Sequence, residues 1–168
     1  LISNSTINDD DDTSASLTTS GTLTLTSSGN IGASGGSQGL DLDVGTLSIS
    51  GTGSGNVIVT EASSLALGAT TVGGTLSATS TTGNITDTGT LTITGAATFI
   101  TGATGSNIIL DGSSNAFAAA VTMTADDGTE AFGDITFVDS AGIVFATSAG
   151  SNGDLFINSS TEGTVGGN

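Results

Sequence analysis

Apolar residues alternate with threonine or serine through most of this chain. Leu23 and Leu25 sit inside Thr22–Thr26, Leu47 and Ile49 inside Thr46–Ser50, and Leu91 and Ile93 inside Thr90–Thr94. Val121 and Met123, Ile135 and Phe137, Ile143 and Phe145, and Leu155 and Ile157 continue the pattern. A period of two among β-branched neighbours predicts strands with one face on a core. No stretch has helical spacing, and glycine is scattered from end to end. The phased apolar face also argues against disorder, which low-complexity Gly/Ser/Thr tracts otherwise favour.

A short cassette recurs through these strands: Gly29-Asn30-Ile31, Gly55-Asn56-Val57, Gly83-Asn84-Ile85, Ser106-Asn107-Ile108, Gly133-Asp134-Ile135 and Gly153-Asp154-Leu155. Its mean interval is about 25 residues, within the range of solenoid repeats. A unit that small cannot bury its own apolar face and must stack on copies of itself. Cutting at the cassette gives coils with three apolar clusters, as in Ile31, then Leu40 with Leu42, then Leu47 with Ile49. The expected fold is all-β, a parallel β-helix (β-solenoid) of three strands per turn, with six to seven coils of about 25 residues each. At a strand spacing of about 4.8 Å it would be a rod about 30 Å long. The cassette is expected at the corner leading into the first strand of each coil. Glycine would supply positive φ there and asparagine would stack in ladders.

The expected domain organisation is one β-solenoid over 1–168, or a segment of a longer array, with an irregular acidic stretch over 1–16. Opening at Leu1, the chain reads as a processed product or a piece of a larger protein. Asp9, Asp10, Asp11 and Asp12 would repel edge pairing at one end, whereas the other end has no charge after Glu162.

Composition narrows the partners. The chain has no Lys, Arg or His, 16 Asp and Glu, and a formal net charge of −16. It cannot release counterions from nucleic-acid phosphates and is repelled by anionic lipid, so neither nucleic acid nor an acidic membrane surface is an expected partner. No apolar run is long enough to cross a membrane as a helix, so membrane insertion is not expected either. Without cysteine there is no disulfide or thiol chemistry. Folding has no side-chain salt bridges to draw on and must rest on apolar burial and hydrogen bonds.

From about Leu65 to Gly167 the phrases ATTVGGTLSATSTTGNITDTGTLTITGAATF, SNIILDGSSNAFAAAVTMT and GDITFVDSAGI are similar to the C-terminal repeat region of large filamentous haemagglutinin-like exoproteins. Those are bacterial surface or secreted proteins exported by two-partner secretion or autotransport. The resemblance implies a right-handed β-helix and an extracellular or cell-surface stalk or filament that projects or adheres, with no catalytic residues. The absence of Lys and Arg departs from that family and argues against adhesion through basic contacts. The expected function is thus structural or adhesive, with coils of successive copies, or of one long chain, stacked end to end.

Candidate chemistry is sparse. Only oxygen ligands are available, which suit a hard cation. Asp9, Asp10, Asp11, Asp12, Asp41 and Asp43 are the expected calcium ligands if a calcium-stabilised or carbohydrate-binding module is present. No other cofactor is implied. Gly35-Gly36-Ser37-Gln38-Gly39-Leu40-Asp41 approximates a calcium-binding nonapeptide, with one residue too many. Catalysis is not expected: adjacent Asp126 and Asp127 would face opposite sides of a strand, and although Asp41 and Asp43 would share a face, no Trp or Tyr exists to hold a sugar ring. Thr22, Thr24 and Thr26, with Thr90, Thr92 and Thr94, have the local pattern of an ice-binding β-helix. Asn4-Ser5-Thr6, Asn84-Ile85-Thr86 and Asn158-Ser159-Ser160 fit the N-glycosylation pattern, which arises readily by chance in such a composition.

Overall fold

In a computed structural model the described residues form fifteen strands and no helix. It describes residues 1–9, 14–32, 39–51, 53–125 and 133–142, and the backbone of 145–149 and 155–159. The strands are β1 (Ile2–Ser3), β2 (Leu17–Ser27), β3 (Leu40–Ser50), β4 (Val57–Glu61), β5 (Leu65–Val72), β6 (Leu76–Ser80), β7 (Ile85–Asp87), β8 (Leu91–Ile93), β9 (Ala97–Thr101), β10 (Ile108–Leu110), β11 (Ala116–Phe117), β12 (Val121–Ala125), β13 (Ile135–Asp139), β14 (Phe145–Ala149) and β15 (Leu155–Ser159).

The described pairings are all parallel, and they form three faces. On the first, β4, β6, β9, β12 and β14 stack in sequence, continuing the start of β3 at Leu40–Leu42. On the second, the Leu65–Leu67 half of β5 is followed by β7, β10, β13 and β15. On the third, the Thr70–Val72 half of β5 is followed by β8 and β11. β2 and β3 run round the corners as single strands of 11 residues. The result is a solenoid of about five turns with roughly 23 residues per turn.

That count is lower than the cassette spacing implies, because the cassette does not mark one corner. Ile31 and Val57 bridge each other on the first face. Ile85, Ile108, Ile135 and Leu155 instead succeed one another on the second. Between Gly55 and Gly83 the chain completes a full turn, from Val57 to its partner Leu76, and then crosses one further side. The interval from Gly55 to Gly83 is therefore a turn plus a side.

The earlier turns carry extra chain on the first face. Val57 and Val59 occupy neighbouring inward places in one turn, and their partners in the turn before are Ile31 and Leu40. Ile31 and Leu40 are nine residues apart in sequence where Val57 and Val59 are two apart. Gly32 has a φ of 78°, and a Cβ there would lie 1.9 Å from the Ile58 carbonyl oxygen. Only glycine fits so close an approach.

The core lies where the three faces converge. Val57 and Val59, Leu76 and Ala78, Ala97 and Phe99, and Val121 and Met123 all point inward and are buried, as their alternation requires. Each fully buried Leu, Ile, Val or Phe contributes about 1.5–3 kcal/mol. Phe99, Phe117 and Phe137 come from the first, third and second faces and meet inside. The Phe99 and Phe117 ring centroids lie 6.1 Å apart at 85°, and those of Phe117 and Phe137 lie 5.1 Å apart at 48°.

Candidate functional site

The corners concentrate the polar chemistry. Asn30 Oδ1 accepts the Asn56 N–H at 2.9 Å, and Asn56 Oδ1 accepts the Thr75 N–H at 2.9 Å. At the corner into the second face, Asn84 Oδ1 accepts the Asn107 N–H at 2.8 Å, and Asn107 Oδ1 accepts the Asp134 N–H at 2.7 Å. The expected ladders thus run from side chain to the backbone of the next turn, rather than between side-chain amides. The described cassette glycines, Gly29, Gly55, Gly83 and Gly133, do not supply positive φ either. Among the described residues that conformation occurs at Gly32, Gly51, Gly53, Gly105 and Gly142, none of them in a cassette. At Gly133 the reason is close stacking instead: a Cβ there would lie 1.8 Å from the Ser106 carbonyl oxygen of the turn below.

Two fully buried carboxyl groups hold corners together. Glu61 closes β4 and is wholly buried, between Leu42 and Ser80 of adjacent turns. Its oxygens accept the Val44 N–H at 3.1 and 3.2 Å, the Ser63 N–H at 3.3 Å and the Ser63 hydroxyl at 3.1 Å. Burial pushes this carboxyl above the usual range; the donors from Ser63 and Val44 pull it back, and the Asp43 charge adds to the rise. Asp139 closes β13, also wholly buried, and its Oδ1 accepts the Phe117 N–H at 3.2 Å and the Ala141 N–H at 3.0 Å. Its Oδ2 has no partner among the described residues. Sequence reasoning singled out neither acid. A usable signal existed, since Glu61 continues Val57 and Val59, and Asp139 continues Ile135 and Phe137, on the inward phase.

A third carboxylate, Asp87, lies half-buried at the corner between the second and third faces. It accepts the Asp111 N–H at 2.9 Å, the Gly112 N–H at 3.0 Å and the Asn115 amide at 2.9 Å. With Thr88, Thr90, Asp111, Ser113 and Ser114 it lines an open cleft of about 340 Å³.

The sequence candidates are dispersed. Asp9 faces into the second turn, where its Oδ1 accepts the Ser16 hydroxyl at 3.0 Å and approaches the Asp41 N–H at 3.5 Å. Asp10, Asp11 and Asp12 lie outside the described residues, as do Asp126 and Asp127, most of the nonapeptide-like stretch, and Ser160 of the third glycosylation pattern. Asp41 and Asp43 share the outward phase of β3, but Asp41 is buried and Asp43 exposed. Among the described residues no three acids converge as metal ligands would. Asn4 is exposed, whereas the Asn84 side chain is engaged in its corner ladder.

The threonine rows fall differently from the sequence pattern. Thr22, Thr24 and Thr26 stack on Thr46, Ser48 and Ser50. Thr92 lies between Thr71 and Ala116, while Thr90 and Thr94 fall outside the strand. Longer ranks occur on the first face. Ser77, Thr98 and Thr122 form one, and Thr60, Thr79, Ile100 and Thr124 the next, in register and without a bulge.

Residues 54–124 match a family described as repeats of unknown function (DUF5649). The matched stretch begins just before β4 and ends within β12, so it coincides with the turns whose first face is most regular. It marks the chain as similar to repetitive proteins. No curated protein and no solved structure matches it.

Proposed function

We propose that this chain is a structural, adhesive element of an extracellular fibre or cell-surface filament, its solenoid continued end to end by further coils. The observation that carries the reading is the polarity of the ladder. All described pairings are parallel, from β1 and β2 at one end to β14 and β15 at the other, so the two ends of the ladder are unlike. A head-to-tail contact between unlike ends does not close on itself and generates an open filament. Each junction would add hydrogen bonds of the same kind as those inside the rod. The corner bonds from Asn, Asp and Glu side chains to neighbouring turns support a mechanical role, because they tie successive turns beyond the strand ladder itself.

Two sequence features agree with a life outside the cell. The chain has no Lys or Arg for trypsin-type cleavage, and its repeats resemble those of filamentous haemagglutinin-like exoproteins. Sedimentation velocity across a range of protein concentrations, at a salt concentration high enough to screen the carboxylates, tests the reading. A distribution shifting toward long, thin species with concentration is expected. A single monomer peak at every concentration would refute assembly by copies.

A further inference from the structure

Aspartate followed by glycine is among the least durable steps in a polypeptide. The glycine nitrogen attacks the aspartate side-chain carboxyl carbon: a C–N bond forms, the nitrogen loses its proton, and a carboxyl oxygen leaves as water. Water then opens the cyclic imide at either carbonyl, which restores aspartate or leaves isoaspartate, with a main chain longer by one carbon. Glycine favours the attack because no Cβ restrains its backbone. Two such steps occur in this chain, Asp111-Gly112 and Asp127-Gly128, and the first lies among the described residues.

The corner between β10 and β11 is committed to that hazard. A Cβ on Gly112 would lie 2.4 Å from Asp87 Oδ2 and 3.1 Å from Asn115 Oδ1, so close stacking demands glycine there. Asp111 before it is exposed, within reach of water. One turn back, the Asp87 carboxylate accepts the Asp111 N–H on Oδ1 at 2.9 Å and the Gly112 N–H on Oδ2 at 3.0 Å. Asp87 is braced in turn by the Asn115 amide at 2.9 Å, and Asn115 is wholly buried, its Oδ1 accepting the Leu91 N–H at 2.9 Å.

We infer that Asp111-Gly112 is a latent isoaspartate site that Asp87 holds closed. The nitrogen that must attack is the one whose proton Asp87 accepts. Negative charge developing on that nitrogen is opposed by the carboxylate 3.0 Å away. Both amides flanking the Asp111 Cα are tied to the same side chain, so the rotation that would carry the Gly112 nitrogen to the Asp111 carboxyl carbon is blocked as well. Giving up one hydrogen bond to a charged acceptor slows the attack about tenfold or more. The protection matters to the fold, because a longer main chain here would disturb the rung formed by Ala116 and Phe117 on Thr92 and Ile93. It stands independently of the filament reading.

The full chain, kept at physiological temperature and pH for weeks, tests this against the synthetic peptide Asn107–Phe117, Asp87→Ala and Asp87→Ser. Thr88→Val is the control, since it removes a hydroxyl bond to the Leu67 carbonyl at the same corner and leaves Asp87 in place. Peptide mapping with electron-transfer fragmentation reads isoaspartate at position 111, and a melting curve close to that of the native protein identifies a folded variant. The native chain and Thr88→Val are expected to accumulate isoaspartate about tenfold or more slowly than the peptide. Folded Asp87→Ala and Asp87→Ser should approach the peptide rate. A native chain as fast as the peptide, a folded Asp87 variant as slow as the native chain, or Thr88→Val as fast as the Asp87 variants would each overturn the inference.

Discussion

Replacing Phe117 with alanine removes the ring on which three faces and two turns of the core meet. Phe117 is 2% exposed, with Phe99 of its own turn at 6.1 Å and Phe137 of the next turn at 5.1 Å between centroids. Truncating a buried Phe to Ala costs about 3–5 kcal/mol, with larger losses where neighbours cannot collapse into the space. Both neighbouring rings are anchored in ladders on other faces, so collapse is restricted and a loss of about 4–5 kcal/mol is expected. Phe117→Leu keeps most of the buried apolar area but loses two aromatic pairs worth about 0.5–1.5 kcal/mol each, so its loss should be about 1–3 kcal/mol. Urea unfolding followed by far-ultraviolet circular dichroism reads both as midpoint shifts at constant slope. A Phe117→Ala loss below about 1.5 kcal/mol, or one equal to that of Phe117→Leu, would refute a core closed around this ring.

Three further outcomes follow from the corners. Gly133→Ala should destabilise strongly, because its Cβ would overlap the Ser106 carbonyl oxygen at 1.8 Å; a melting temperature equal to that of the native protein would contradict the close stacking. Asn107→Ala removes the acceptor of the Asp134 N–H and should cost about 1 kcal/mol by chemical denaturation, as one corner hydrogen bond would. Glu61 holds its proton more tightly in the folded chain than in the unfolded one, so its contribution favours folding less as pH rises from the ordinary glutamate value, about 4.3, through the raised folded one. Stability should therefore increase on acidification through that window, and Glu61→Gln should flatten this limb of the pH profile; an unchanged limb would assign it to other carboxylates.

What could be read in advance depended on how local the cause is. Alternation decides which side of a strand faces the core without reference to any other turn, so Val57 and Val59, Leu76 and Ala78, and Val121 and Met123 were legible. Asparagine as a corner residue was legible for the same reason. Which corner it occupies was not, because the same chemistry serves the entry to the first face at Asn56 and the entry to the second at Asn84. The role of glycine at Gly133 depends on a carbonyl one turn below and has no local signature. The threonine ranks on the first face depend on register between turns, which Thr22–Thr26 and Thr90–Thr94 read singly could not reveal. Glu61 and Asp139 follow the inward phase, but a carboxylate there runs against composition rules until its backbone donors on the adjacent turn are known. Asp41 and Asp43 share a phase as alternation requires, yet Asp9 of the preceding turn reaches the Asp41 N–H and separates their environments.

Helical reconstruction of filaments from cryo-electron micrographs addresses the end-to-end reading most directly. If copies continue one another's ladder, density should show strands stacked every 4.8 Å or so without interruption across the junction between copies, with an axial rise per copy of about 24–34 Å, the height of five to seven stacked strands. Filaments in which the strand spacing breaks at every copy boundary, or strands running along the axis instead of across it, would contradict it.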